Sequence, residues 1–425
     1  MSLKRLLYTL FLYLLFPLVI LRLLWKSRKN PAYRQRISER LGFVKIPDGN
    51  EIIWLHAVSV GETIAAKPLI EALLEQYSEH RILVTTTTPT GSDQVRSLFA
   101  ERVSHLYFPY DLPDVVSRFL QQLQPKILII IETEIWPNLY AACRKNQVPL
   151  MVVNARLSTK STQAYSRIRG LVAETLSNVS TIAVRSKADA DRFQKLGASS
   201  DQIEVVGNIK YDLELNEARI LQGKRWRDQW GKNRPVWVVA STHKGEDEIL
   251  LASYINLLKQ FPDLLLILAP RHPERFDKVY SLCQNLKDQG FVTLRHSQVS
   301  SYEDQKMNIV IGDSMGEMQS WYASADAVFV GGSLVNSGGH NPLEATALGV
   351  PVLSGQSMFN FEDILTELSA AGLLTVCNNQ AEIEMAIADT LNNEQKQSFH
   401  DKAEVFIQQN RGVTARLSYL VSNLL

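Results

Sequence analysis

Short apolar runs alternate with longer amphipathic segments over most of the chain. Continuous apolar runs of about 4–8 residues are typical of strands buried on both faces, and longer segments with apolar residues every three or four positions are typical of helices. The runs predict strands in the first half of the chain at 51–56, 81–87, 105–108, 126–131, 150–154, 181–184 and 204–206. Further strands are predicted at 236–240, 264–269, 309–312, 327–331, 351–354 and 373–376. Strands alternating with helices indicate parallel sheets, so we predict an α/β fold of two doubly wound domains joined near 208–234.

The first apolar run differs from the others because it is longer and precedes the predicted sheets. Residues 6–21 are apolar or aromatic apart from Thr9, and extending the run to Trp25 brings it to the roughly 20 residues that span a bilayer. No small-residue cleavage site follows, so we predict an uncleaved membrane anchor rather than a signal peptide. Seven Lys/Arg follow the run and two precede it, which favours a cytoplasmic body. Both a spanning and an interfacial anchor fit Tyr8, Tyr13 and Trp25.

The charge is distributed unevenly along the chain. The net charge is +1, but residues 1–45 carry +9 and the remaining residues carry −8. A uniformly basic nucleic-acid binder is therefore excluded, and the basic end indicates an anionic surface such as a membrane. Cys143, Cys283 and Cys377 are too widely spaced for a disulfide framework or a metal site, which favours a reducing compartment.

A glycine-rich segment at 331–351 carries the clearest signal for a ligand. Neither GxGxxG nor GxxxxGK[ST] follows the first strand of either half, so a dehydrogenase and a P-loop enzyme lose their main support. The spacing predicts a helix with Asn341 as N-cap, Pro342 at the first position and Glu344 closing a capping box. Free backbone N–H groups at such a helix start are suited to binding an anion. Glu344 either closes the cap or binds a sugar hydroxyl of a nucleotide.

Two further loops follow strands of the second half and belong to the same predicted edge. Arg271 and His272 come directly after the strand at 264–269, where Arg271 either grips a phosphate or is a solvated arginine. The sequence GDSMGE at 312–317 also follows a strand, and its glycines allow close approach to a base.

In the first half, acidic residues follow two predicted strands. Glu62 lies in HAVSVGE at the start of a helix, where a carboxylate either only complements the helix dipole or acts chemically. Glu132 and Glu134 in IETEIWPN follow another strand and are either surface acids or site residues.

The sequence predicts no metal site. Asp189 and Asp191 form the only Asp-x-Asp, but a spacing of two on a helix directs the carboxylates to different sides. His243, His272 and His340 lie in three separate loops without HExxH spacing, which favours hydrogen-bonding roles.

Taken together, the ordered blocks resemble the 3-deoxy-D-manno-octulosonic acid (Kdo) transferases, which attach Kdo from CMP-Kdo to the lipid A precursor. The resemblance covers nearly the whole chain through YRQRISERLGF, HAVSVGE, TTTTPTGSD, FPYDLP, IETEIWPN, NARLS, PRHPERF, GDSMGE and GGHNPLEA. It implies a GT-B fold, in which two Rossmann-like domains face each other across a cleft. The implied organisation is an anchor at 1–28, an acceptor-binding domain at 29–207, a linker at 208–234, a CMP-Kdo-binding domain at 235–405 and a final helix at 406–425 that crosses back to the first domain.

The resemblance also implies roles for individual residues. It makes Glu62 the catalytic base, and Glu132 and Lys210 transition-state stabilisers. The residues implied to hold CMP are Pro270, Arg271, Met315, Gly316, Glu317, Asn341, Pro342, Leu343 and Glu344. No cofactor is implied.

The expected reaction is a single displacement with inversion, since one base and no second covalent residue are implied. No metal is expected, because CMP carries one phosphate, which cationic side chains and a helix dipole can hold. The expected partners are CMP-Kdo, the lipid A precursor and the cytoplasmic leaflet of the inner membrane, but no nucleic acid. We expect basic residues after the anchor to attract the acceptor's head group, namely Arg28, Lys29, Arg34, Arg36 and Arg40. Two alternatives remain open: another sugar-nucleotide enzyme of the same fold, including an epimerase, and a non-catalytic membrane-tethered nucleotide-binding protein.

Overall fold

The computed structural model describes residues 1–45, 51–303, 305–392 and 396–425. They form two compact units, one of Met1–Asp212 with Asn410–Leu425 and the other of Leu213–Gln409. Each unit contains one seven-stranded sheet in which all neighbouring strands are parallel. The predicted α/β class is confirmed in both halves of the chain.

The first unit is built on a sheet whose central strands are buried on both faces. Its strands are β1 (Ile52–His56), β2 (Arg81–Thr86), β3 (Ser104–Tyr107), β4 (Ile127–Ile131), β5 (Leu150–Ala155), β6 (Thr181–Val184) and β7 (Ile203–Val205). Their order is β3-β2-β1-β4-β5-β6-β7, so the direction of winding reverses between β1 and β4. Ligands bind at such a reversal in open parallel sheets, beyond the carboxyl ends of the strands.

Helices cover both faces of this sheet. The α-helices of Met1–Asp212 are α1 (Leu3–Lys29), α2 (Ile37–Arg40), α3 (Val60–Gln76), α4 (Pro89–Phe99), α5 (Pro113–Leu123), α6 (Pro137–Lys145), α7 (Thr159–Ser166), α8 (Arg169–Leu176) and α9 (Lys187–Leu196), of which α1 contacts α6 and α8.

The second unit repeats this architecture. Its strands are β8 (Val236–Thr242), β9 (Leu265–Pro270), β10 (Thr293–Arg295), β11 (Ile309–Ile311), β12 (Ala327–Val330), β13 (Val352–Ser354) and β14 (Leu374–Val376), in the order β10-β11-β9-β8-β12-β13-β14. Its helices are α10 (Glu217–Trp230), α11 (Asp247–Leu257), α12 (Phe276–Gln284), α13 (Met318–Ser324), α14 (Leu343–Ala347), α15 (Glu362–Ala370), α16 (Gln380–Asn392) and α17 (Lys396–Asn410). All the predicted strands are present within two residues of their expected ends, but β10 was missed because it is only three residues long and is half-buried at the sheet edge.

The chain ends in the first unit. Helix α18 (Val413–Ser422) packs against α3, and Val413, Leu417 and Val421 are fully buried in the same apolar cluster as β1. The Asp212 carboxylate accepts a hydrogen bond from the Gly412 backbone N–H at 2.7 Å, so the start of α18 is held by the last residue before the chain leaves this unit.

One helix of the described residues, α1, is long and apolar enough to cross a membrane between Leu3 and Arg28, judged by length and composition. Little of it is buried, in contrast to a core helix.

Two residues of the expected membrane-binding basic cluster are structural, so that expectation is wrong for them. The Arg40 side chain is buried at 4% exposure, donates to the Thr87 carbonyl at 3.0 Å and lies 3.9 Å from the centre of the Tyr107 ring. The Arg36 guanidinium pairs with Glu39 at 2.6 Å. Both arginines are bonded to partly buried polar groups of the first unit instead of facing a membrane.

Candidate active site

Three residues other than glycine have left-handed backbone conformations at the carboxyl ends of strands. They are Glu132 after β4 (φ +62°), Asn154 in β5 (φ +54°) and Ser241 in β8 (φ +57°). This conformation is unfavourable for residues with a side chain and is concentrated at functional sites. It therefore marks the edge of each sheet where the predicted site residues lie.

Glu62 lies in the first turn of α3 and is mostly buried. Its Oε2 accepts a hydrogen bond from the Val58 backbone N–H at 2.6 Å, and its Oε1 accepts one from the Ser59 hydroxyl at 3.1 Å. Ser59 Oγ in turn accepts from the Glu62 backbone N–H at 3.4 Å, so the carboxylate helps to cap the helix. Burial raises the pKa of Glu62 to about 7, and the negative charges of Glu132 and Glu134 add to this rise. A carboxyl group with this pKa can take up and release a proton near neutral pH.

Glu132 and Glu134 have different surroundings although they are two residues apart. The Glu132 carboxylate lies 2.7 Å from Arg185 Nη2 and 3.7 Å from Arg156 Nε, and the Arg185 side chain is only 6% exposed. Glu134 is largely desolvated, and burial raises its pKa to about 7. The structure thus places Glu62, Glu132 and Glu134 near one another. The two cationic side chains described here, those of Arg185 and Arg156, pair with Glu132.

Lys210 lies on a short 3₁₀ turn, Ile209–Tyr211, just after β7. Its backbone N–H donates to Asn208 Oδ1 at 3.2 Å, and the Ile209 N–H donates to Asn154 Oδ1 at 3.2 Å. The turn is therefore tied to the end of β5, and the Lys210 side chain is half-buried at the same edge of the sheet.

In the second unit, Arg271 follows β9 and lies beside a group of histidines. Its backbone N–H donates to the Thr242 carbonyl at 3.1 Å, which holds the loop against the end of β8, and its side chain is exposed. His243 and His340 stack with their Nε2 atoms 2.9 Å apart, and the His272 ring lies edge-on to His243 at 5.3 Å between centroids. Burial, together with a smaller effect of the Arg271 charge, lowers the pKa of His340 to about 4. These three histidines lie in separate loops of the sequence, but their rings are close together in the structure.

The glycine-rich loop is held by a buried carboxylate that the sequence did not reveal. Glu246 is fully buried, and its oxygens accept hydrogen bonds from four backbone N–H groups at 2.7–3.0 Å, those of His243, Gly332, Ser333 and Leu334. The N–H groups of residues 332–334 are therefore already bonded and are not available to an anion. The Glu246 carboxylate accepts all four of these backbone hydrogen bonds and so fixes the conformation of the loop.

The predicted capping box of Asn341 and Glu344 does not form, so that prediction is wrong. Helix α14 begins at Leu343, and Pro342 occupies the cap position with helical backbone angles. Counted from Pro342, Glu344 lies one position too early to close a box, although Asn341 Oδ1 accepts a hydrogen bond from the Leu343 N–H at 3.0 Å. Glu344 forms no hydrogen bond or ion pair with any residue in the described ranges, and burial raises its pKa. This leaves its carboxyl group available to a ligand.

The segment 315–317 combines an exposed turn with the carboxylate of Glu317, which pairs with other side chains. Met315 is more than half exposed, and Gly316 has a φ of +79° with open space where a Cβ would lie. Glu317 pairs with Arg219 Nη1 at 3.3 Å and with His296 Nε2 at 3.0 Å. Pro270, at the end of β9, is buried. The glycine permits a close approach of a flat ligand to the backbone, whereas Glu317 is engaged with Arg219 and His296.

No cluster of three or more His, Cys, Asp or Glu suited to a metal occurs in the part of the chain that the structure describes. Asp189 is buried and accepts from the Leu157 N–H at 3.0 Å, whereas Asp191 is exposed and pairs with Lys187 at 3.1 Å. The two carboxylates therefore point to different partners, as the helical spacing predicts.

Sequence reasoning did not single out Arg185 and Glu246. Arg185 comes directly after β6, as Glu132 comes directly after β4, so its position after a buried strand was a usable signal. Glu246 gives no such signal, because its four donors come from two segments about 90 residues apart in the chain.

Comparisons with known proteins agree on the family. Residues 35–213 match the family model described as 3-Deoxy-D-manno-octulosonic-acid transferase (kdotransferase), and residues 239–412 match the model described as Glycosyl transferases group 1. The 3-deoxy-D-manno-octulosonic acid transferase of Haemophilus influenzae is 40% identical over 420 residues, which cover 97% of each chain.

Solved structures with low identity share the fold. An Anabaena protein in complex with UDP is 14% identical with a TM-score of 0.54, over 88% of this chain and all of that one. The UDP-GlcNAc 2-epimerase from Neisseria meningitidis, bound to UDP-GlcNAc, is also 14% identical, with a TM-score of 0.50 over 84% of this chain and 98% of that one. With the two parallel sheets, these similarities establish the GT-B type of fold. The identity to the Haemophilus enzyme establishes more: this chain belongs to the Kdo transferase family and is a glycosyltransferase that transfers Kdo in lipopolysaccharide biosynthesis.

Proposed function

We propose that the chain moves Kdo from CMP-Kdo to a lipid A precursor by one inverting displacement, without a metal, with Glu62 as the base. The observation that carries this proposal is the surroundings of Glu62, a buried carboxyl whose pKa is raised to about 7 beside two other acids. A general base works best when its pKa lies near the working pH. In the reaction, the acceptor hydroxyl gives its proton to Glu62, its oxygen bonds to the anomeric carbon of Kdo, and the bond from that carbon to the phosphate oxygen breaks to release CMP.

Glu132 and Lys210 are proposed to stabilise the transition state. The anomeric carbon gains positive charge and the departing phosphate gains negative charge, so a carboxylate and an ammonium serve opposite ends of the breaking bond. Arg185 supports this role for Glu132, because a nearly buried cation at 2.7 Å holds the carboxylate in one position.

The donor is proposed to bind to the second unit through Arg271 and the segments around Met315 and Asn341. Arg271 is exposed beside the end of β9 and offers a guanidinium to the phosphate. Gly316 leaves room for the cytosine ring, and the unpartnered Glu344 carboxyl can accept hydrogen bonds from ribose hydroxyls. Pro270, Glu317, Pro342 and Leu343 are proposed to shape the pocket around these groups.

The proposed location is the cytoplasmic face of the inner membrane, with α1 as the attachment. The length and apolar character of α1 support membrane attachment, and the positive charges that follow it support the cytoplasmic side. An enzyme held there meets a membrane-embedded acceptor by diffusion in two dimensions.

The test is to incubate the full-length protein with CMP-Kdo and a lipid A precursor and to weigh the product. A mass increase of one or more Kdo units is expected, and no product from CMP-Kdo alongside turnover of a UDP-sugar would overturn the donor assignment. A parallel reaction with EDTA should proceed at the same rate. Loss of activity that Mg²⁺ restores would contradict the metal-free mechanism.

A further inference from the structure

Helix α1 is bonded to the first unit along one of its faces. Between Ser2 and Leu21, every uncharged polar side chain of this helix and its cap forms a hydrogen bond with the body of the unit. The pairs are Ser2 with Glu174, Tyr8 with Asp111 (2.9 Å), Thr9 with Asn138 (3.1 Å) and Tyr13 with Asp114 (2.5 Å). The contact therefore involves several distant segments of the body instead of one hinge.

The contact continues to the end of the helix. The Phe16 ring lies edge-on to Tyr110 with 5.4 Å between centroids, and Leu23 is buried. Ser27 Oγ accepts a hydrogen bond from Arg34 Nε at 2.6 Å. Ser2, Thr9, Phe16 and Leu23 are seven positions apart and Ser27 lies one turn further on, so α1 is docked lengthwise.

The docking point at Tyr8 belongs to the core of the unit. Asp111 is buried and accepts hydrogen bonds from the backbone N–H groups of Asn138 and Leu139, at 3.1 and 2.7 Å, as well as from the Tyr8 hydroxyl. The same carboxylate thus holds the start of α6 and the second turn of α1. Removing α1 from the body would leave this buried acceptor with one donor fewer.

The opposite face of α1 is apolar and exposed. Its side chains recur every three or four residues, with Leu10 and Phe11 adjacent, and each is more than half exposed: Leu3, Leu7, Leu10, Phe11, Leu14, Leu18, Leu21 and Trp25. At 1.5 Å per residue this stripe is about 33 Å long. A continuous apolar surface of this size marks a site of interaction.

We infer that α1 lies in the plane of the membrane surface, with its docked face on the protein and its apolar stripe among the acyl chains, and does not cross the bilayer. This inference rests on the membrane location proposed above. If the docked helix crossed the bilayer, Asp111, Asp114 and Glu174 would be carried into the hydrocarbon with it, which is costly for acidic groups. An orientation in the plane of the surface keeps these contacts and still buries the stripe.

The charges around the stripe favour an anionic lipid surface as the occupant. Lys4, Arg22 and Arg28 are exposed on α1, and the exposed Ile168 lies between exposed Arg167 and Arg169. The Lys4 ammonium lies over Gly170, so this second group adjoins the start of the helix. Basic residues around an apolar face are typical of helices that bind the interface of anionic bilayers.

The test locks α1 to the body with a disulfide. Thr9→Cys and Asn138→Cys replace side chains whose oxygens lie 3.1 Å apart, and the native cysteines Cys143, Cys283 and Cys377 are buried. The protein is bound to vesicles of phosphatidylethanolamine and phosphatidylglycerol, oxidised, and recovered by flotation. We expect the disulfide to form on the vesicles, and the locked protein to float as well as the reduced protein, within about twofold. The matched control, Leu14→Cys with Asn138→Cys, places its thiol on the opposite face and should not cross-link.

Failure of the disulfide to form on vesicles, or release of the locked protein from them, would overturn the inference. A second measurement leaves Asn138 intact, in case its replacement disturbs folding. Ser2→Cys is treated with a membrane-impermeant maleimide added outside the vesicles. Complete labelling without detergent is expected, whereas protection until detergent is added would mean that the helix crosses the bilayer. Kdo transfer to a detergent-solubilised acceptor is measured on the same samples, so loss of the proposed activity is distinguished from a different helix orientation.

Discussion

The Glu132 carboxylate lies 2.7 Å from the nearly buried guanidinium of Arg185, whereas Glu62, in the same acidic group, has no cationic partner. No lysine or arginine within the described segments forms an ion pair with Glu62. Two carboxylates that share one edge of a sheet thus have opposite surroundings. Such a division fits the roles proposed above, in which Glu132 keeps a fixed charge and Glu62 transfers a proton.

Replacing Glu62 should abolish proton abstraction without loss of the fold. For Glu62→Gln we expect kcat to fall by roughly 10² or more, because general-base catalysis contributes about that factor. CMP affinity, measured by titration calorimetry, should stay unchanged. Turnover close to that of the unmodified protein would show that Glu62 is not the base.

The rate should depend on the protonation of the same carboxyl. Because the pKa of Glu62 is raised to about 7, the base is protonated below that pH, and kcat should decline as pH falls through about 7. Glu134→Gln should move this acidic limb of the pH profile, the decline in kcat, to lower pH, since it removes a negative charge that raises the pKa of Glu62. Glu75→Gln, at the far end of α3, makes the same change in net charge and should leave the limb in place. A profile that is flat between pH 5 and pH 8 would contradict the assignment.

The raised pKa also predicts how stability depends on pH. A carboxyl whose pKa is higher in the folded state than its ordinary value of 4.5 contributes stability that is complete below 4.5 and is lost as pH rises through about 7. Glu62→Gln cannot ionise, so its melting temperature relative to that of the unmodified protein should rise between pH 5 and pH 8. A constant difference in melting temperature would mean that burial of this carboxyl has no energetic consequence.

Arg185 should stabilise the first unit through Glu132. Arg185→Met leaves a largely buried carboxylate without its main partner, and we expect a loss of about 3 kcal/mol in the free energy of unfolding of this unit. Glu132→Gln in the same chain should recover part of the loss, giving a coupling of about 1–3 kcal/mol in a double-mutant cycle followed by urea unfolding. Strict additivity of the two changes would rule out the coupling.

In the second unit, replacing Arg271 should weaken CMP binding more than replacing Glu344. Arg271→Ala removes the proposed charged hydrogen bond to phosphate, worth about 1.5–3 kcal/mol, so CMP should bind roughly ten- to a hundred-fold more weakly in calorimetry. Glu344→Ala should cause a smaller loss. Lys278→Ala removes an exposed cation from α12 and is the control. Unchanged affinity in both site variants would place the donor elsewhere.

The exposed basic residues of α1 should govern binding to anionic membranes. Each contributes about 1 kcal/mol near such a surface, so neutralising Lys4, Arg22 and Arg28 together should weaken binding to phosphatidylglycerol vesicles by about 10² and flatten its salt dependence. Neutralising the exposed Lys278, Lys287 and Lys402 makes an equal change in net charge for comparison. Equal vesicle binding by both triple variants would remove the assigned role of the α1 charges.

The sequence by itself determined the elements of this fold and most of the candidate residues. Strands such as β4, Ile127–Ile131, are continuous apolar runs that satisfy both faces of a parallel sheet, so their positions follow from local pattern. The residues that follow such strands, including Glu132 and Arg271, could be proposed because parallel strands bring their carboxyl ends to one edge.

Only the tertiary structure decided what each charged group does. Arg36 and Arg40 look like part of a basic membrane-binding stretch, yet their partners, Glu39, Thr87 and Tyr107, lie partly on other elements and make them structural. Glu246 and Arg185 acquire their importance from donors and acceptors distant in the chain. The orientation of α1 likewise depends on Asp111 and Asn138, about 100 residues further along. The local sequence pattern shows whether a segment is buried. The role of a buried charged group depends on the partner beside it, and only the tertiary structure brings the two together.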